Sequence, residues 1–257
     1  MSDVNTLRDE CVAEFAGTFL FLALGMGCVA GLKLAGAAYG QWEISIIWGL
    51  AVALAAYLTG GVSGAHLNPS VTFALAFFAK FPKQKILPYI ISQFLGAFVA
   101  AAVVYGLYYN LFTAKTLDTA GVFTTFPNPH ITLSQAFMTE FFITAVLVAV
   151  ILGLSDDGNG LPRGALVAFL VGILVAVLGG AFGPLTGFAM NAARDFGPRL
   201  FAYFAGWGNG VMTGNREIPY FLVPLIAPVI GGCVGAAFYT KLIGEPLARR
   251  QSKSLAR

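Results

Sequence analysis

From Ile44 to Ala79 the chain runs for 36 residues without an Asp, Glu, Lys or Arg, yet this run is broken midway by SGAHLNPSVT, residues 63–72. Gly, His, Asn and Pro are the residues that punctuate soluble loops. As one helix the run would extend ~54 Å, nearly twice a ~30 Å hydrocarbon core, and it is too short for two crossings joined by a turn. One and a half crossings fits. The pattern predicts a full span, an irregular bend, and a half-helix from Asn68 to Ala79 of ~18 Å.

The rest of the chain is of the same kind. Of 257 residues, 58% are hydrophobic and 11% charged, with a mean hydropathy of +0.78, whereas soluble domains are about one quarter charged. Further uncharged runs cover Phe15 to Leu32, Ile86 to Ala114, Phe141 to Ser155, Gly164 to Ala193 and Ile218 to Thr240, so six spans are expected in a lipid bilayer. Of the 15 Lys and Arg, ten (Arg8, Lys80, Lys83, Lys85, Arg163, Lys241, Arg249, Arg250, Lys253, Arg257) fall on one side and five (Lys33, Lys115, Arg194, Arg199, Arg216) on the other. The positive-inside rule then places both termini in the cytoplasm. The net charge of +3 reports topology, and without a basic face nothing supports nucleic acid as a partner. The first apolar run lacks the form of a cleavable leader and is expected to remain as the first helix. Cys11, Cys28 and Cys233 show no C-x-x-C spacing and read as small hydrophobes. His66 and His130, the only histidines, have no Cys or carboxylate at ligand spacing, so neither a metal nor a cofactor is expected.

Residues 49–72 and 172–195 align without a gap at an offset of 123, pairing Gly49 with Gly172, Gly60 with Gly183, Gly64 with Gly187 and Asn68 with Asn191. Further out, AEFAGT (13–18) echoes TEFFIT (139–144), so Glu14 pairs with Glu140, and GAFVAA (96–101) echoes GGCVGA (231–236). The chain is therefore read as one transmembrane domain of two repeats, about 7–110 and 133–245, with a basic tail over 246–257. Three spans per repeat is an odd number, so the second repeat enters the membrane inverted. Two half-helices would then meet amino end to amino end near the midplane. Irregular backbone at membrane depth survives only when buried in protein or lining a water-filled cavity. Gly64, Ala65, His66 and Leu67, with Gly187, Phe188, Ala189 and Met190, are expected to present a ladder of carbonyls to a pore.

The paired triplets, with GQWEISIIWGL, VYGLYYNLF, DDGNGLPRG, GPLTGFAMN, ARDFGP and IPYFLVPL, resemble the aquaporin family, and within it the aquaglyceroporin branch of bacterial glycerol facilitators. The match spans roughly residues 7–245. The resemblance implies an all-α membrane protein, six transmembrane helices plus two re-entrant half-helices enclosing one pore per subunit, in a homotetramer of a bacterial-type inner membrane. It also implies conduction of glycerol, related small polyols and some water. Asn68 and Asn191 would donate N–H groups to the permeating oxygen. Both half-helix amino ends would add positive potential against cations and hinder proton relay. Arg194, Trp48 and Phe188 would form a selectivity filter in which the aromatic corner takes the carbon edge of a polyol and the guanidinium its hydroxyls. Gly179, where water-selective relatives have His, would widen that filter, and Asp195 follows the glycerol branch as a supporting residue. Two positions depart from the family triplets: Ser70 in Asn68-Pro69-Ser70, and Ala192 in Asn191-Ala192-Ala193. Ala192, in place of the usual Pro, is expected to loosen its turn while leaving conduction intact.

Some features have plainer readings than a functional one. Glu14 and Glu140 are intramembrane carboxylates, a pattern found in proton relays, but their repeat equivalence favours a structural role accepting N–H groups from the loops. DDGNG (156–160) lacks calcium-loop spacing and reads as a turn. Gly27/Gly31 and Gly231/Gly235 read as helix-packing pairs, and Tyr105, Tyr108 and Tyr109 as an interfacial belt. Among functions, a polyol channel leads and a water-selective channel follows. A coupled carrier is disfavoured because the midplane offers Asn rather than free carboxylates. A hydrolase is disfavoured because no third group orients a Ser/His pair.

Overall fold

The computed structural model describes residues 5–159 and 164–255; Gly160, Arg163 and Arg257 lie outside them. Among the described residues the regular structure is helical, in the order α1 (Leu7–Leu34), α2 (Gln41–Ser63), α3 (Pro69–Phe78), α4 (Ile86–Leu107), α5 (Leu117–Ala120), α6 (Leu133–Ser155), α7 (Ala165–Thr186), α8 (Ala192–Ala202), α9 (Asn209–Thr213), α10 (Leu222–Tyr239) and α11 (Glu245–Leu255). Six helices, α1, α2, α4, α6, α7 and α10, are long and apolar enough to cross a bilayer, and the protein is an integral membrane protein. The helices α3 and α8, at ~1.5 Å per residue, cross about half of one.

The packing follows the repeat. Helix α1 lies against α2 and α4 as α6 lies against α7 and α10, and each half-helix packs on the last span of the other repeat, α3 on α10 and α8 on α4. The central contact is between equivalent helices, α2 and α7. A Cβ built on Gly49 would sit 2.2 Å from the carbonyl oxygen of Gly172, and one on Gly172 would sit 2.5 Å from that of Gly49. Such reciprocity is what a two-fold axis between the two glycines requires. The same closeness recurs as an equivalent pair further out: Gly96 meets the Phe15 carbonyl at 2.4 Å and Gly231 that of Phe141 at 2.1 Å.

The structure adds detail to the sequence reading at four points. Helix α1 begins eight residues before its uncharged run, because Thr6 and Asp9 form a reciprocal capping box and Glu10 is neutralised by Lys85 at 2.7 Å. The second half-helix continues into charged residues because Asp195 and Arg199 neutralise one another inside it. Gly27 has nothing within 4 Å of a built Cβ, so only Gly231 and Gly235 of the two proposed packing pairs bring helix backbones together. The Tyr105 ring also packs 5.3–5.8 Å from those of Phe112, Phe201 and Trp207, in a cluster that closes the loops beyond α4 and α8.

Candidate functional site: a constricted pore between two half-helices

Helices α2 and α7 both end at a glycine in the left-handed region, Gly64 (φ 83°) and Gly187 (φ 78°). The loops beyond them match residue for residue: Ala65 and Leu67 have φ of 49° and 51°, Phe188 and Met190 of 42° and 52°. Each non-glycine residue in that region costs about 1–2 kcal/mol and persists only where surroundings enforce it. The enforcing groups are Glu14 and Glu140, both fully buried. Glu14 accepts the backbone N–H groups of His66 (2.8 Å) and Leu67 (2.7 Å), and Glu140 those of Ala189 (2.9 Å) and Met190 (2.8 Å). Glu14 also accepts from the Ser63 hydroxyl and the Gln93 amide.

A trans peptide holds its C=O opposite its N–H. With those N–H groups drawn to the carboxylates, the carbonyls of Ala65, His66, Phe188 and Ala189 are turned away from them, towards the cavity of about 640 Å³ that all four residues line. Gly64 lines this cavity too; Gly187 lines a second one of about 780 Å³ on the other side. Leu67 and Met190 differ from the other ladder members, because their carbonyls already accept from asparagines of the opposite repeat.

Those asparagines start the half-helices. Asn68 caps α3 through Ser70 N–H (2.8 Å) and Asn191 caps α8 through Ala193 and Arg194 N–H (3.0 and 3.1 Å). Each side-chain oxygen is thus committed, which fixes the amide orientation. One N–H of Asn68 donates to Met190 O at 2.8 Å and one of Asn191 to Leu67 O at 2.7 Å. The second N–H of each amide remains for the cavity both residues line. Ala192 leaves the shape of its turn the same as that of the first repeat. Asn191 (φ −158°, ψ 114°) superposes in conformation on Asn68 (φ −158°, ψ 121°), which does precede a proline, because two cap bonds replace the ring constraint. Ser70 is buried against Gly232 with its hydroxyl unpartnered.

Trp48, Phe188 and Arg194 line both cavities, and so mark the neck between them. The Arg194 guanidinium lies 4.0 Å from the Trp48 ring centroid, and Phe188 meets Trp48 edge to face at 6.3 Å and 81°. Gly179 is not part of the wall. A Cβ there would lie 2.9 Å from Cε2 of Phe188 and from Oγ of Ser45, so the missing side chain makes room for the phenyl ring rather than widening the neck. Gln41 donates to the Gly179 carbonyl at 3.0 Å and braces the same corner.

Asp195 turns away from Arg194. It accepts from Arg199 at 2.8 Å, from the Thr124 hydroxyl at 2.7 Å and from the Thr125 hydroxyl and N–H at 2.7 and 2.9 Å, all buried. Arg199 in turn donates to the carbonyls of Thr125 and Val211, clamping two connecting segments onto α8. The sequence reading counted Arg199 only as a surface charge, although its four-residue spacing from Asp195 was an available signal. Gln93 and Tyr89, which hold Glu14 and the Ser63 carbonyl, were also missed. His66 packs its ring on Phe81 and Tyr89 at 4.5 and 5.0 Å, with Nδ1 3.1 Å from the Thr72 hydroxyl.

Comparisons with known proteins agree with this architecture. Residues 1–239 match the family described as major intrinsic protein. The glycerol uptake facilitator protein of Escherichia coli K12 is 60% identical over 259 aligned residues, covering 96% of this chain and 92% of that one. The propanediol uptake facilitator PduF of Salmonella typhimurium LT2 is 55% identical over 255, covering 95% and 97%. Among solved structures, the aquaglyceroporin from Plasmodium falciparum superposes with a TM-score of 0.87 at 35% identity, over 95% of this chain and 99% of that one. With six spans, two opposed half-helices and this extent of likeness, the chain belongs to the major intrinsic protein family.

Proposed function

We propose that this chain is a passive channel for glycerol and related small neutral polyols, with some water permeability, which excludes ions and protons. The observation that carries the reading is the neck itself: a guanidinium stacked on an indole, with a phenyl edge beside it, separating two cavities. A polyol has hydroxyls along one edge and carbon along the other. Arg194 and the turned carbonyls serve the first edge, Trp48 and Phe188 the second, which limits the desolvation cost of passing. The names of the two bacterial relatives, facilitators of glycerol and of propanediol uptake, support the same solute class. At the midplane, Asn68 and Asn191 offer one free N–H each, so a water there is held as an acceptor and does not relay a proton. The amino ends of α3 and α8, worth roughly half a positive charge each, oppose cations.

The repeats about 7–110 and 133–245 act as one channel domain, with the basic tail 246–257 and both termini on the cytoplasmic face of an inner membrane. Lys83, Lys85, Lys241, Arg249 and Arg250 support that orientation. Assembly as a homotetramer is part of the reading, supported by membership of the family. The test is stopped-flow light scattering on proteoliposomes given sucrose and glycerol gradients in turn, beside Arg194→Ala and empty vesicles. Rapid reswelling in glycerol, indifferent to voltage and pH gradient, is expected. Shrinkage in sucrose without reswelling in glycerol would mean a water-selective channel.

A further inference from the structure

The second cavity holds an imbalance of charge that polyol conduction does not use. Lys33, Arg194 and Arg216 line it, against Asp118 alone among carboxylates, and Asp118 is paired with Lys33. Among the described residues the Arg216 guanidinium donates to neutral acceptors only, the carbonyls of Asn128 (3.4 Å) and Ile131 (3.2 Å). Among the described residues no carboxylate pairs with Arg194 or Arg216. The two buried acids nearest in sequence to the wall are spent elsewhere, Asp195 on Arg199 and the threonines, Glu140 on loop N–H groups. Two guanidinia that make no direct ion pair among the described residues therefore share one cavity of about 780 Å³, within the range of about 300–1,000 Å³ typical of ligand sites. Gln41 and Asn215 add amide groups to its wall.

We propose that this vestibule binds a small phosphate-bearing anion, held through its phosphate oxygens by Arg216 and Arg194, and that the bound anion closes the neck to neutral solutes. Guanidinium is the side chain whose planar fork matches phosphate oxygens, and a cavity with an excess of positive charge concentrates such an anion. The anion does not pass, because a dianion entering between Trp48 and Phe188 would lose its hydration to apolar walls. Closure rests on the channel reading above, whereas binding does not.

The experiment measures both separately. Isothermal titration of the detergent-solubilised full chain uses inorganic phosphate and glycerol 3-phosphate at fixed ionic strength, and glycerol flux is followed in proteoliposomes carrying the same anions on both faces. Saturable binding is expected, weakened roughly tenfold or more in Arg216→Gln through loss of one charge-assisted fork. Lys83→Gln, which removes the same charge at the opposite end, should bind as wild type. Flux should fall with occupancy in wild type, and Arg216→Gln without anion should conduct normally. Tighter binding of glycerol 3-phosphate than of phosphate identifies a phosphorylated polyol as the ligand; equal or weaker binding identifies free phosphate. Non-saturable titration, or equal binding by Arg216→Gln, overturns the site. Binding that leaves an active channel's flux unchanged overturns the closure. A protein that binds as expected yet shows no glycerol flux even without anion refutes the channel reading instead.

Discussion

Replacing Glu14 by Gln isolates what the buried carboxylates do. Glu14 receives two backbone N–H groups, one on each oxygen, along with the Ser63 hydroxyl and the Gln93 amide. A Gln side chain could recover the side-chain partners, since the Ser63 hydroxyl rotates and the Gln93 amide, whose oxygen is unpartnered, can turn over. The backbone donors of His66 and Leu67 cannot adapt, so one of them is left facing an amide N–H whichever way the new side chain lies. An orphaned buried donor costs about 1–3 kcal/mol, equivalent to a fall of roughly 2–12 °C in melting midpoint for a chain of this size. Glu140→Gln faces the same arithmetic at Ala189 and Met190, so the two variants should lose similar amounts. Both should also conduct glycerol more slowly, because a released peptide plane no longer aims its carbonyl at the pore. Thermal melting in detergent beside proteoliposome flux measures the two effects. Unchanged midpoints and flux in both variants would refute the bracing argument, and an unchanged midpoint with a new pH dependence of flux would restore the proton-relay reading.

Ala192→Pro should leave glycerol and proton fluxes unchanged and raise stability by about 0.4–1 kcal/mol, because Asn191 already has the geometry of Asn68 and the substitution stiffens the unfolded chain; slower flux would contradict this. Gly49→Ala and Gly172→Ala should each destabilise by about 1–3 kcal/mol through overpacking at the α2/α7 contact, whereas Gly27→Ala, with no neighbour in reach, should melt as wild type. Asp195→Asn should cost about 3–5 kcal/mol by leaving Arg199 buried without its partner, read as loss of folded protein in size-exclusion chromatography. Gly179→Ala should displace the Phe188 ring, which its Cβ would meet at 2.9 Å, and lower glycerol flux more than water flux.

Much of the fold was legible because a bilayer leaves few solutions. Uncharged runs, the break at 63–72 and the offset of 123 residues suffice to derive six spans and two opposed half-helices. Where the sequence misled, a charge was cancelled by a residue distant in the chain, or a side chain was absent for a reason only a neighbour explains. Glu10 extends α1 because Lys85 lies beside it, 75 residues away. Gly179 looked like an open wall and is the seat of Phe188. The asparagine pairing at the midplane was anticipated as donors to solute, but the crossed bonds to Leu67 and Met190 depend on how close the two loops come, which spacing within either repeat does not encode.

Those crossed bonds bear on how the chain can be assembled during synthesis. The first repeat is made first, and until the second arrives Asn68 has no Met190 carbonyl to donate to and Leu67 no Asn191 to accept from. Neither α3 nor its loop has a finished seat, and the spans α1, α2 and α4 wait in the lipid around an incomplete centre. Maturation is therefore expected to end in a single late step, when α8 enters from the opposite face and both loops lock at once. Chains truncated before Asn191 should remain as protease-sensitive insertion intermediates, and the two repeats expressed as separate polypeptides should each be inert and recover conduction only together.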